Sequence, residues 1–116
     1  MKPVIVLDFD GTVVDFSERS YRCYQYCLQR MEIPDPLDFT AYWNRKRART
    51  SMHDILGPYA SRLDEYHALW MEQIENPNFL KFDRLFPGTK SWLEKAREAY
   101  DLFLVTRRQF RDRLLN

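Results

Sequence analysis

The sequence predicts an α/β protein: a partial Rossmann-like core of parallel strands with an all-helical cap inserted after the first strand. Two apolar blocks without alternation predict the strands, and a long intervening stretch with three- and four-residue apolar spacing predicts the insertion. Residues 1–15 and 86–116 are assigned to the core and 16–85 to the cap. With 116 residues, 45% of them hydrophobic, the chain has enough apolar surface to bury a real core.

Pro3 to Leu7 is rich in β-branched residues and shows no alternation, the pattern of a parallel strand buried on both faces. It runs into a polar turn, Asp8-Phe9-Asp10-Gly11-Thr12. Tyr21, Tyr24, Leu28 and Met31 then recur on one side of a helix whose N-cap is expected at Ser17, and Ile33 to Pro36 breaks it. Asp38 to Thr50 combines the aromatic residues Phe39, Tyr42 and Trp43 with the basic run Arg45-Lys46-Arg47-Ala48-Arg49, and reads as helix followed by loop. A short helix capped by Ser51 is expected to stop at Gly57-Pro58.

Ser61 is the expected cap of a longer helix in which Leu63, Tyr66, His67, Trp70, Met71 and Ile74 form an apolar stripe ended by Asn76-Pro77. After a connector from Asn78 to Phe86, Pro87-Gly88-Thr89 opens a helix with Trp92, Leu93, Ala96 and Ala99 on one side. The second strand, Leu102 to Val105, stops at Thr106-Arg107-Arg108, and a final helical stretch follows. Strand, helical excursion, helix, strand and helix in that order read as a crossover joining parallel strands.

Charge and cysteine usage narrow the class. A formal net charge of +1 removes the broad positive field expected of a nucleic-acid or anionic-membrane binder, so neither is an expected partner. The run Val4 to Leu7 is too short to span a bilayer and its flanks do not resemble a signal peptide, which makes the cytoplasm the expected location. Cys23 and Cys27 lie four apart on one helix face, without CxxC spacing, and read as packed, reduced thiols. His53 and His67 lack metal-ligand spacing, and His67 reads as a packing residue.

The candidate chemistry lies at the carboxyl ends of the two strands, where open α/β sheets bind ligands. Asp8 can attack phosphorus to form an aspartyl phosphate, and Asp10 can protonate the leaving alkoxide and then deprotonate water if the turn swings it back. Gly11 permits that turn, and Thr106 offers a hydroxyl to a phosphoryl oxygen. A carboxylate and a phosphate dianion repel by about 8 kcal/mol at about 4 Å for an effective dielectric near 20, so a cation is required. Oxygen donors favour Mg²⁺ over a softer metal.

The segment Val4-Ile5-Val6-Leu7-Asp8-Phe9-Asp10-Gly11-Thr12-Val13-Val14-Asp15 resembles the first motif of the haloacid dehalogenase superfamily, and Leu102-Phe103-Leu104-Val105-Thr106 resembles its second. Pro87-Gly88 before the intervening helix is similar to the same family, and the inserted helical cap resembles the branch containing phosphoglycolate phosphatases and β-phosphoglucomutases. The resemblance implies Asp8 as nucleophile and metal ligand, and Asp10 as acid/base with its main-chain carbonyl on the metal. It implies Thr106 as the phosphate-binding hydroxyl, and Gly11 and Thr12 of the same loop are placed with it as candidate phosphate-binding residues. Arg107, next in the chain, is not where the family's third motif falls but sits close enough to the pocket to touch an anion; a solvated surface role is the favoured alternative for it. Dehalogenating members lack the second acid, so Asp10 favours a small phosphorylated substrate over a haloacid.

Asp-x-Asp-Gly-Thr arises by chance in on the order of one chain of this length in a thousand. The family's third motif, a basic residue, and its fourth, a pair of acids, have no room after Thr106, so the expectation is a chain truncated after the second motif. Two strands under one helix layer would leave apolar surface open, which reads either as a fragment of a longer enzyme or as a chain whose missing strands come from another copy, by self-association through the incomplete sheet. The leading expectation is an Mg²⁺-dependent phosphomonoesterase. Its alternatives are a non-catalytic relative acting as an interaction module and a sugar-phosphate mutase. In the cap, Arg45, Lys46, Arg47 and Arg49 read either as a solvated basic face or as a grip on an anionic part of the substrate, and Lys46 is the one cap candidate for the amine of a phosphonate-cleaving member.

Overall fold

A computed structural model of the chain describes residues 2–106. Arg107 and the expected final helix lie outside the described residues. By contacts the chain divides into two compact units, Met1–Phe16 with Phe82–Asn116, and Ser17–Lys81.

The first unit is built on two parallel strands, β1 (Val4–Asp8) and β4 (Asp101–Val105), paired from Val4 opposite Asp101 to Asp8 opposite Val105. Helix α6 (Thr89–Ala99) leads into β4 and packs against it, which makes the parallel connection. Gly88, at φ 79°, starts α6 in the left-handed region, where a side chain would be strained. Phe9, Val13 and Val14 form the buried centre of this unit, with Leu7 and Leu93 packed on it. A second, antiparallel ladder joins β2 (Val14–Asp15) to β3 (Arg84–Leu85). Its strands are too short for a periodic signal, and residues 84–85 read as connector from the sequence alone.

The expectation that β1 is buried on both faces does not hold for the described residues. Val4 and Val6 are 59% and 62% exposed, and Phe103 and Val105, paired along the same face, are 56% and 51% exposed. Alternate residues of a strand point to opposite faces, and among the described residues only the face carrying Phe9 has a packed cluster behind it. Trp92 is likewise 49% exposed, so the predicted α6 stripe reaches the centre chiefly through Leu93.

The second unit is all-helical: α1 (Ser17–Arg30), α2 (Phe39–Arg47), α3 (Met52–Leu56), α4 (Leu63–Gln73) and α5 (Pro77–Leu80). Helix α1 packs against α2, α4 and α5. Its buried side is wider than the tyrosine stripe suggests, because Cys23 and Cys27 lie at its centre beside Tyr24, Leu28 and Met31. Both thiols are free and buried, and their mutual hydrogen bond together with burial holds the Cys23 thiol above its ordinary pKa. Tyr24 stacks on Tyr42 at 4.5 Å and 24°, and Ser20 shares a 2.7 Å hydrogen bond with the Tyr42 hydroxyl.

Local chemistry explains the helix ends. Asp38 accepts from the Ala41 amide at 2.8 Å and Ser51 from the Asp54 amide at 3.2 Å, each satisfying an amide left over at a helix start. Helix α1 ends with Glu32 at φ 58°, the Ile33 amide donating to Leu28 and the Glu32 amide to Gln29. This is the Schellman arrangement, with Leu28 and Ile33 sharing the same core. Helix α2 ends the same way at Arg49, φ 60°, so Arg45, Lys46 and Arg47 occupy the last turn, where the helix dipole favours cations.

Helix α1 contains Ser17 as its first residue instead of following it. The Ser61 cap is absent: Gly57–Arg62 forms a 3-10 turn that runs directly into α4. Arg62 holds this junction, with its guanidinium on the Glu65 carboxylate at 3.0 Å and on the Met31 carbonyl at 3.0 Å. Asn76 caps α5 by accepting from the Asn78 amide at 2.9 Å, after α4 has already ended at Gln73. No helix among the described residues is long and apolar enough to cross a membrane.

Candidate active site

The signature loop is shaped by where Phe9 goes. Its side chain enters the apolar centre at 9% exposure, while its amide donates to the Val105 carbonyl at 2.9 Å, one step beyond the last paired residues of β1 and β4. The Phe9 carbonyl then receives the amides of Val13 and Val14 at 3.1 and 2.9 Å, and the Gly11 amide donates to Val14 at 2.9 Å. The chain between them is thereby folded into a tight loop closed by the Asp10–Val14 bridge. Gly11 stands at φ 86°, a conformation that costs a side-chain-bearing residue about 1–2 kcal/mol.

Asp8 and Asp10 therefore flank an inward-anchored aromatic ring, Asp8 exposed and Asp10 half-buried. Thr106, half-buried, follows Val105, and the parallel register brings it alongside Phe9 on the neighbouring strand. Adjacent strands lie about 4.8 Å apart, so Asp8 and Thr106 stand at the same carboxyl end of one sheet. Gly11 and Thr12 belong to the same loop, both exposed. The structure brings together all the expected site residues except Arg107, which is outside the described residues.

Two carboxylates and a main-chain carbonyl at Asp10 are hard oxygen donors of the kind Mg²⁺ takes, since that ion is often held by one or two carboxylates with water and phosphate completing its shell. Among the described residues no group of three or more His, Cys, Asp or Glu side chains converges to hold a metal. The donor set of Asp8 and Asp10 fits such a partial shell and does not fill it.

A groove missed by the sequence reading begins at this loop. Thr12, Val13, Leu7, Pro87, Trp92 and Leu93 line about 530 Å³ of open space. Its only early sign was Trp92, an aromatic residue in an expected core stripe that the first unit leaves half-open.

The sequence model of the family described as haloacid dehalogenase-like hydrolase matches residues 5–114, nearly the whole chain. The chain belongs to the haloacid dehalogenase-like hydrolase family. Among solved structures, it is similar to a haloacid dehalogenase-like family hydrolase from Streptococcus pneumoniae, at 21% identity and a TM-score of 0.58, which supports the shared fold. That match covers 90% of this chain and 49% of the other, so the chain spans about half the length of the structure it resembles. No curated protein matches it significantly. For this haloacid dehalogenase-like chain, the partial α/β core with parallel strands agrees with the expected fold class.

The cap residues singled out in the sequence separate in the structure. Arg45, Arg47 and Arg49 are exposed, and Arg47 donates to the Asn44 side chain. Lys46 is half-buried, and burial lowers its ammonium below the ordinary lysine pKa. His67 is exposed and not packed as expected, because the buried side of α4 is carried by Tyr66, one residue earlier, at 1% exposure. His53 is exposed beside Asp54, its Nδ1 3.6 Å from the carboxylate.

Proposed function

We propose that this chain carries the nucleophile and the acid/base of an Mg²⁺-dependent phosphomonoesterase acting on a small phosphorylated metabolite, working through an aspartyl phosphate. The observation that supports this most is the strand register. It sets Asp8 opposite Val105, one residue before Thr106, at the sheet end where open α/β folds take their ligands.

In this reading an Asp8 carboxylate oxygen attacks phosphorus, and the bond from phosphorus to the ester oxygen breaks. Asp10, protonated, gives its proton to the departing alkoxide. Asp10, now ionised, takes a proton from water, whose oxygen attacks phosphorus and returns Asp8 as a free carboxylate with release of inorganic phosphate. The Thr106 hydroxyl donates to a phosphoryl oxygen throughout and gains strength as charge builds there. Asp8 and the Asp10 carbonyl are the proposed holders of Mg²⁺, which when bound offsets the repulsion between carboxylate and phosphate.

The test is hydrolysis of an aryl phosphate by the full-length protein with Mg²⁺. Asp8→Asn is expected to abolish turnover and leave the circular dichroism spectrum and thermal midpoint intact. Undiminished turnover in that variant would end the assignment.

A further inference from the structure

The loop that carries Asp10 is held from outside as well as by its own hydrogen bonds. Val14 is its closing residue: it bridges to Asp10, and its carbonyl accepts the Gly11 amide at 2.9 Å. Val14 is also the first residue of β2, where it pairs with Leu85 of β3. Asp15 pairs with Arg84, and the Phe86 amide donates to the Val13 carbonyl at 3.3 Å. Val13, Val14 and Asp15, the returning limb of the loop, are thus each tied to the segment 84–86.

A ladder of two residue pairs is marginal on its own, so its side chains decide how firmly it closes. Val14 is anchored by its side chain in the apolar centre. At the other position the side chains carry opposite charge, Asp15 half-buried and Arg84 exposed. Directly opposed residues of an antiparallel ladder project to the same face, where opposite charges favour the pairing and like charges oppose it. A proton donor must stand within hydrogen-bond reach of the departing oxygen, and misplacement by about 1 Å can slow a step about 10²-fold. Asp10 takes its place from a loop whose closing residue sits in this ladder.

We propose that Arg84 is a positioning residue: facing Asp15, it keeps β2 on β3 and Val14 bridged to Asp10, and so holds the Asp10 carboxyl where it exchanges protons with leaving group and water. The catalytic part of this inference rests on the phosphatase reading, and the bracing of the loop does not.

Two readouts on the full-length protein test it: turnover of an aryl phosphate with Mg²⁺, and hydrogen exchange of the Gly11 amide. Arg84→Glu sets like charges opposite each other and is expected to lower kcat about tenfold with KM within about twofold. Exchange at Gly11 should quicken about tenfold, while the Cys27 amide in α1 exchanges as in the parent, which separates local loosening from unfolding. Arg84→Lys keeps the charge and should stay within about threefold of the parent in both readouts. Exchanging the pair, Asp15→Lys with Arg84→Glu, should recover most of both losses. Unchanged Gly11 exchange in Arg84→Glu would overturn the brace, whatever the reaction. Quickened exchange with kcat unmoved, or an exchanged pair that recovers neither loss, would overturn the positioning of Asp10. Turnover retained by Asp8→Asn in the same assay would remove the phosphatase reading and the catalytic part with it, and the exchange result would still decide the brace.

Discussion

Asp8 faces Val105 across the parallel ladder, and the next amide along, that of Phe9, donates to the Val105 carbonyl at 2.9 Å. This pair ties the end of the first strand to the end of the last described one. The position of Thr106 relative to the acid loop follows from it, since Thr106 is the residue after Val105. Any disturbance of this pairing displaces the hydroxyl and the carboxylates together.

We predict that Thr106→Val, which keeps the shape and removes the hydroxyl, lowers kcat of the full-length protein toward an aryl phosphate by about 10²-fold. KM should change far less, because the lost hydrogen bond matters most where charge accumulates. Equal kcat for the two proteins would show that Thr106 does not touch the phosphoryl group.

Gly11→Ala should destabilise the protein by about 1–2 kcal/mol, read as a lowered urea midpoint. A Cβ at this position would meet Phe16 at 3.6 Å, an ordinary contact, so the cost comes from the backbone at φ 86°. Gly11→Asn should lose less, since asparagine tolerates the left-handed region better.

Ser20→Ala leaves the Tyr42 hydroxyl without its 2.7 Å partner in a side chain that is 0% exposed. A loss of about 1–3 kcal/mol is expected in chemical denaturation. Adding Tyr42→Phe should recover part of it, because both halves of the pair are then gone. A double-mutant cycle with no coupling would show that the hydrogen bond contributes nothing.

Burial raises the pKa of the Tyr24, Tyr42 and Tyr66 hydroxyls above the ordinary tyrosine value. A group whose folded pKa exceeds its unfolded value of about 10 stabilises fully below that pH and loses its contribution as pH rises through the folded value. The urea midpoint should therefore hold up to about pH 9 and fall above about pH 10, by at most about 1.4 kcal/mol per pH unit for each tyrosine. Tyr66→Phe should make the alkaline decline shallower, and an identical slope would contradict its placement.

Features legible in the sequence share one trait: their cause lies within a few residues. Ser51 caps α3 because the amide it satisfies is three residues away, and Gly57 stops that helix through its own positive φ. The strands from Val4 and up to Val105 announce themselves as unbroken apolar runs, and Asp8, Asp10 and Gly11 mark a turn whose chemistry is local. The Ser61 cap failed for the converse reason. Arg62 reaches the Met31 carbonyl on a distant segment, and that long-range bond sets where α4 begins.

The amino-acid order by itself therefore determined the α/β class, the acid-bearing loop and the bounds of α3 and the start of α6, since capping, turn geometry and apolar spacing act over one or two turns of chain. Only the tertiary structure decided that Val105 sits opposite Asp8, that Ser20 meets Tyr42, that Tyr66 and not His67 is the buried side of α4, and that Val6 and Phe103 are exposed. Each of those depends on which faces of separate elements come together. Packing between residues far apart in the chain settles that, and no local pattern encodes it.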